Sequence, residues 1–154
     1  MNYKKIPWWE PRIGSPLERT LIEKVFDDNY ANEGDISTQF ETEVAKLLNV
    51  RYAVATTSGT AAIFLALKAS GVGAGDEVIV PDATFIATAN AVSLCGATPI
   101  LVDIDPTTLT ISIEAIENAI TKKTKAIVPV HVTGRPADME RILEIAKCHH
   151  LHVI

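Results

Sequence analysis

Two places in the stretch YAVATTSGTAAIFLALKASGVGAGDEVIVP, Tyr52 to Pro81, carry residue types that can grip a phosphate. One is Ser58-Gly59-Thr60; the other is the run Gly71, Gly73 and Gly75. A phosphate-binding turn has to follow a strand and open a helix, so that free amide hydrogens and the positive end of the helix dipole face the anion. Gly71 to Gly75 has the opposite polarity: it follows a helical pattern and precedes the strand-like EVIVP. Gly71 is better explained as the left-handed residue that closes the preceding helix. Ser58-Gly59-Thr60 has the right polarity, with small side chains, hydroxyls and an apolar helical run behind it. Three or four hydrogen bonds to a charged phosphate, at about 1.5–3 kcal/mol each, would hold such a group. Spacing alone leaves two readings of this turn equally open: a phosphate cradle, or a plain helix cap eased by glycine.

Other clusters invite metal chemistry. Asp103 and Asp105 in LVDIDP form a carboxylate pair with no third ligand, which suits a turn at a strand end better than a cation site. Cys148, His149, His150 and His152 resemble a zinc tract, but they straddle a helix end and a strand start, where alternation points them apart. A cationic histidine at a helix C-terminus accounts for them. No metal site is expected.

The elements that must position these residues follow from periodicity. Ser15 with Glu18 makes a capping box and Pro16 fits the first helical turn; Leu17, Leu21, Val25 and Phe26 continue as a helical stripe. A second helix follows in STQFETEVAKLLNV, with Phe40, Val44, Leu47 and Leu48 on one face. Beyond it the period changes. Tyr52–Thr57, Glu77–Pro81, Thr98–Ile104 and Lys125–Val132 read as strands, separated by helices at Thr60–Ser70, Thr84–Leu94, Ile113–Ile120 and Ala137–His149. Alternating strands and helices predict βαβ units and a mostly parallel sheet between helical layers, an α/β/α sandwich. EVIVP and KAIVPV are apolar on both faces, as strands covered on both sides must be. HHLHVI opens one more strand, and the chain reads as ending mid-fold.

The totals set outer limits. The chain has 154 residues, 47% hydrophobic and 21% charged, with a net charge of −5; a chain of this size can bury about 70% of its unfolded surface. No basic stripe marks a nucleic-acid surface; Lys122-Lys123-Thr124-Lys125 reads as a solvated turn. No apolar run approaches the roughly 20 residues that span a bilayer. The N-terminus lacks the apolar core of a signal peptide. The two cysteines, Cys95 and Cys148, read as reduced, so a cytoplasmic chain is expected.

TTSGTAAIFLALKASGVGAGDEVIVPDATFIATANAVSLCGATPILVDID and TKAIVPVHVTGRPADMERILEIAKCHHLHVI resemble the pyridoxal-phosphate-dependent nucleotide-sugar aminotransferases of the DegT/StrS type, in fold type I. The upstream stretch from IPWWEPRIG to EVAKLL is similar to the same family's N-terminal region. The resemblance implies an N-terminal arm and first helix over residues 1–36. Residues 37–154 would then be the first part of a cofactor-binding large domain. It implies that Ser58, Gly59 and Thr60 cradle the phosphate of pyridoxal 5′-phosphate and that Phe85 stacks on its ring. It places Gly34 in a substrate-facing segment, with Asp35 standing where a proline often follows, and gives His131, beside Gly134, a structural or supporting role near the site.

The family's chemistry needs a lysine that forms a Schiff base with the cofactor and an acid that protonates the pyridine nitrogen. Neither matches a position in these 154 residues: the lysines present lie in the tail, on helices or at a turn, and the chain alone is expected not to transaminate. The implied parent enzyme moves an amino group from an amino-acid donor, glutamate by expectation, onto a keto-sugar nucleotide in polysaccharide or deoxyamino-sugar biosynthesis, as a homodimer. A family dehydratase, with His replacing the Schiff-base Lys, and a non-catalytic module are the alternatives.

Overall fold

The computed structural model describes residues 10–28 and 34–154. The start of the expected N-terminal arm, residues 1–9, lies outside the described residues. Two compact units, Met1–Ala55 and Thr56–Ile154, make up the chain.

The first unit holds α1 (Pro16–Asp27) and α2 (Asp35–Leu47). The capping box that starts α1 is formed in both directions: the Ser15 hydroxyl accepts from the Glu18 amide and the Glu18 carboxylate accepts from the Ser15 amide. The neighbouring Ser15 hydroxyl, then the Ser15 amide, hold the Glu18 carboxyl below its usual range. Both expected apolar stripes are helical, yet neither helix has a buried residue within this unit; Leu17, Phe26, Phe40 and Leu47 are exposed. The expected strand at Tyr52–Thr57 is corrected. The segment pairs with no strand among the described residues, and Tyr52 is 73% exposed. A strand exists only by its ladder of hydrogen bonds, and the Ala55 amide donates instead to the Glu41 carboxylate at 2.8 Å.

The second unit is a four-stranded parallel sheet in the order β2-β1-β3-β4, with strands β1 (Glu77–Pro81), β2 (Thr98–Val102), β3 (Thr124–Ile127) and β4 (His152–Val153). Helices α3 (Gly59–Ala69), α4 (Ala87–Leu94), α5 (Ile113–Ala119) and α6 (Met139–His149) alternate with them. Side chains alternate along each strand, and both faces find a core. Val78, Val80, Ala126 and Val128 pack with Leu67 of α3 and Ala91 and Val92 of α4. Ile79, Val102 and Ile127 pack on the other face with Ile116 of α5 and Ile142 and Ile145 of α6. Fully burying a side chain such as Ile79 or Ile127 contributes about 1.5–3 kcal/mol, so these two layers hold the unit together.

The strand order fixes where the helices go. β1 leads through α4 to a neighbour on one side; the chain then crosses back through α5 to β3 on the other side. Right-handed crossovers in opposite directions place their helices on opposite faces, matching the two cores. Three strand ends differ from the periodic reading for local reasons. Pro129 cannot donate to a ladder, so β3 stops at Ile127 and Val132–Gly134 turn as a 3-10 helix. Ile104 leaves β2 to bridge Ile111 in the antiparallel sense. At the other end of β3, a register shift opposite Glu77 and Val78 leaves Lys125 without a partner in β1.

The glycine run closes α3 and turns the chain into β1. Gly71, at φ +77°, donates its amide to Lys68 O while the Val72 amide reaches Leu67 O. The Gly73 amide donates to the Asp76 carboxylate at 2.9 Å. An added Cβ meets nothing within 4 Å at either glycine, so conformation alone separates them. Gly71→Ala is expected to cost roughly 1–2 kcal/mol, the left-handed penalty of an L-residue. Gly73→Ala, without a positive φ, should cost less than about 0.5 kcal/mol, as a substitution that loses no contact does. Urea denaturation of both variants checks this.

Candidate functional site

Helix α3 runs back towards the start of β1, so its N-terminus lies level with the carboxyl end of that strand. Eleven helical residues and five strand residues both span about 16 Å. The turn at Ser58 is extended (φ −166°, ψ 162°), and its hydroxyl caps the helix by accepting from the Ala61 amide at 3.2 Å. Its carbonyl takes the Ala62 amide at 3.0 Å and the Thr56 hydroxyl at 3.0 Å. The amides of Gly59 and Thr60 donate to no acceptor among the described residues. Ser58, Gly59 and Thr60 thus offer two free N–H groups and a hydroxyl proton at the positive end of α3, an arrangement that suits an anion. A Cβ at Gly59 would meet no atom within 4 Å, so the space over these amides is open.

Phe85 lies four residues beyond the end of β1, and its ring is 76% exposed. Its backbone is nevertheless held. The Phe85 carbonyl accepts from the Thr88 amide at 3.1 Å, and the Thr84 and Thr88 hydroxyls pair at 3.1 Å, with Thr88 buried. Helix α4 therefore starts at Ala87 and not at Thr84, because residues 82–86 form the bend that carries the ring outward.

After β3, His131 Nδ1 accepts from the buried Ala137 amide at 3.1 Å. Between them Thr133 adopts φ +53° and Gly134 φ +80°. After β2, one carboxylate oxygen of Asp105 collects the Thr107 hydroxyl, the Thr107 amide at 2.6 Å and the Thr108 amide at 3.1 Å. The carbonyls of Thr107 and Thr108 in turn accept from Arg135 Nη1 at 3.0 and 2.9 Å. Arg135 thus ties the loop after β3 to the turn after β2. Sequence reading missed Arg135, Thr84 and Thr88, whose partners no local pattern reveals.

The topological switch point lies between β1 and β3, where the outgoing connections part to opposite faces. Open α/β sheets bind ligands in that crevice, beyond the carboxyl ends of the strands. The loops carrying Phe85 and His131 are its two lips, and the Ser58–Thr60 turn lies at the same edge on the α3/α4 face. Gly34 caps α2 in the first unit with an extended φ of −149°. Cys148 and His149 line a shallow groove of about 210 Å³ between α5 and α6, with Glu117, Arg141, Glu144 and Ile145; His150 ends α6 in the left-handed conformation and His152 is exposed on β4. No helix among the described residues is long and apolar enough to cross a membrane.

A phosphate-ready turn, an exposed aromatic and a switch-point crevice on this fold agree with the family comparison, which matches residues 14–154. The chain belongs to the DegT/DnrJ/EryC1/StrS aminotransferase family. It is 46% identical over 138 residues to GDP-perosamine synthase of Caulobacter vibrioides, covering 89% of this chain and 37% of that protein. It is 50% identical over 135 residues to UDP-N-acetyl-3-dehydro-alpha-D-glucosamine 3-aminotransferase of Acidithiobacillus ferrooxidans, covering 88% of this chain and 37% of that one. Among solved structures, NtdA of Bacillus subtilis with bound cofactor PMP superposes with a TM-score of 0.85 at 43% identity over 88% of this chain and 31% of its own. The chain thus spans 31–37% of the length of these family members, and its fold is the first part of a fold type I aminotransferase.

The Asp105 turn has a measurable signature. The Thr107 hydroxyl, then the Thr107 and Thr108 amides, hold the Asp105 carboxyl below its usual range. A depressed folded value means the stabilisation is present above the ordinary carboxylate pKa and is lost as pH falls through the folded one. A carbon-13 NMR titration should find Asp105 titrating below an ordinary aspartate, and Thr107→Val should return it upward.

Proposed function

We propose that the protein to which this chain belongs is a pyridoxal-phosphate-dependent aminotransferase that transfers an amino group from an amino acid to a keto-sugar nucleotide. The observation that carries this reading is the pair of unpartnered amides at Gly59 and Thr60, at the dipole end of α3, beside the switch-point crevice. The residues present fit the cofactor's two recognisable parts. Ser58, Gly59 and Thr60 would hold its phosphate, and Phe85 would lie against its ring. When bound, the cofactor supplies the electron-withdrawing ring on which amino-group transfer depends. This chain's residues would orient that ring and cover one of its faces.

Family membership and the PMP held by the structural neighbour NtdA support the same cofactor. The names of the two relatives pair amino sugars with GDP and UDP, which supports a sugar-nucleotide substrate as a class. Glutamate as the donor, a homodimeric assembly and a cytoplasmic location complete the proposal. In it, residues 1–36 form an N-terminal arm that carries Gly34 near the substrate, and residues 37–154 begin the cofactor domain. The lysine and the acid that react with the cofactor would come from elsewhere in the full-length protein.

Gly59→Val tests the phosphate turn, because a Cβ added there has open space around it. In the full-length protein it is expected to abolish pyridoxal 5′-phosphate binding, followed by visible absorbance, without lowering the thermal midpoint by more than a few degrees. Unchanged cofactor affinity would defeat the assignment.

A further inference from the structure

Four residues other than glycine have a left-handed backbone among the described residues: Asn49, Leu109, Thr133 and His150. Two of them close helices. Asn49 follows the end of α2 and His150 ends α6, and the next amide returns to the last turn in each case, Val50 to Ala45 O and Leu151 to Ala146 O. Helix ends commonly close in this way. Leu109 and Thr133 close no α-helix. They stand in the turn after β2 and the loop after β3, which lead into α5 and α6 on one face of the sheet. Non-glycine residues keep such a conformation only where their surroundings impose it, and such positions gather at ligand clamps and switch regions.

Arg135 joins these two places. The peptide between Thr107 and Thr108 is gripped at both ends: its N–H donates to Asp105 Oδ1 at 3.1 Å and its carbonyl accepts from Arg135 Nη1 at 3.0 Å. Anion and cation therefore polarise one peptide from opposite sides, which strengthens both hydrogen bonds. A second bond runs from Arg135 Nη1 to Thr108 O at 2.9 Å, and the Leu109 amide donates to Asp105 O at 2.7 Å. On the other loop, the Arg135 amide donates to Val132 O at 2.9 Å, across Thr133. The guanidinium pairs with no carboxylate within 4 Å among the described residues, where the ion pairs are Lys46–Glu43 and Arg141–Glu144. The remaining bonds of the loop, Gly134 amide to His131 O at 3.2 Å and Ala137 amide to His131 Nδ1 at 3.1 Å, lie within the loop itself. Arg135 is thus its side-chain tie to another element among the described residues.

We infer that Arg135 is a positioning residue for ligand binding. By anchoring on the Asp105 turn it keeps Thr133 left-handed, and with it the shape of the lip that this loop gives to the crevice. The inference rests on the cofactor reading above for the ligand that reports on it. The test uses the cofactor-free full-length protein, well below the thermal midpoint of every variant, so that a change in global stability leaves affinity untouched. Calorimetric titration with pyridoxamine 5′-phosphate should find Arg135→Ala weakened about 5- to 30-fold, the population a left-handed L-residue loses when nothing holds it there. Hydrogen exchange at the Gly134 and Ala137 amides should quicken in the same variant. Asparagine takes the left-handed conformation more readily than threonine, so adding Thr133→Asn should recover most of the lost affinity without remaking the bonds to Thr107 and Thr108. Thr133→Asn alone should bind as the wild type does. Arg135→Gln, closer in volume to arginine, provides a second background in which the loss and the recovery should recur. Wild-type affinity in both Arg135 variants would overturn the proposal. So would a loss that Thr133→Asn leaves unrepaired, which is the mark of an arginine acting by a route other than Thr133. Wild-type protein that binds no pyridoxamine phosphate would remove the cofactor reading instead. Exchange then decides alone: quickening in Arg135→Ala that Thr133→Asn reverses upholds the hold on Thr133, and unchanged exchange sinks it.

Discussion

The arrangement of the second unit depends on one constraint: β1 sits inside the sheet, and the next two strands are added on opposite sides of it. Since right-handed crossovers cannot reverse direction without changing face, α4 is sent to one layer and α5 and α6 to the other. The connections leaving β1 and β3 must then diverge, and the gap they leave is the crevice. Helix α3 joins the α4 layer through Leu67 and brings its N-terminus to the same edge. Ser58–Thr60, Phe85 and His131 come from three separate stretches of the chain and meet at one edge for this reason.

A crevice made by diverging loops is useful only if its rims are stiff. Side chains bonded to nearby backbone do this here. The Thr84 and Thr88 hydroxyls pair across the bend that carries Phe85. Asp105 gathers the turn after β2, Arg135 fastens the loop after β3 to it, and His131 closes that loop on Ala137. An ordinary hydrogen bond of this kind contributes about 0.5–1.5 kcal/mol, and less where solvent competes. Their effect is geometric more than energetic: the bonds around the loop after β3 accompany Thr133 in an unfavourable conformation.

Much of this was legible in advance because it rests on local rules. The capping box of α1, the span of β1, the two-faced strands and the left-handed Gly71 each follow from residues within a few positions of one another. The polarity of Ser58-Gly59-Thr60, after an extended stretch and before a helix, was equally readable, and it separated that turn from the more glycine-rich run downstream. What failed, failed where a partner was needed. Tyr52–Thr57 has strand composition, but a ladder requires a neighbour, and Glu41 takes the Ala55 amide instead. The apolar stripes of α1 and α2 are periodic without being buried in their own unit.

The sequence by itself thus determined the order of helices and strands from α3 onward, the parallel α/β class and the phosphate-suited chemistry of one turn, because periodicity, capping and glycine conformation act within a few residues. Only the tertiary structure decided that β1 and β3 part at a switch point, that Arg135 spans from one loop to the carbonyls of another, and that His131 accepts the Ala137 amide. Strand order and side-chain bonds between distant loops are set by which packed faces bury the most apolar surface, and that comparison exists only once the whole unit has folded.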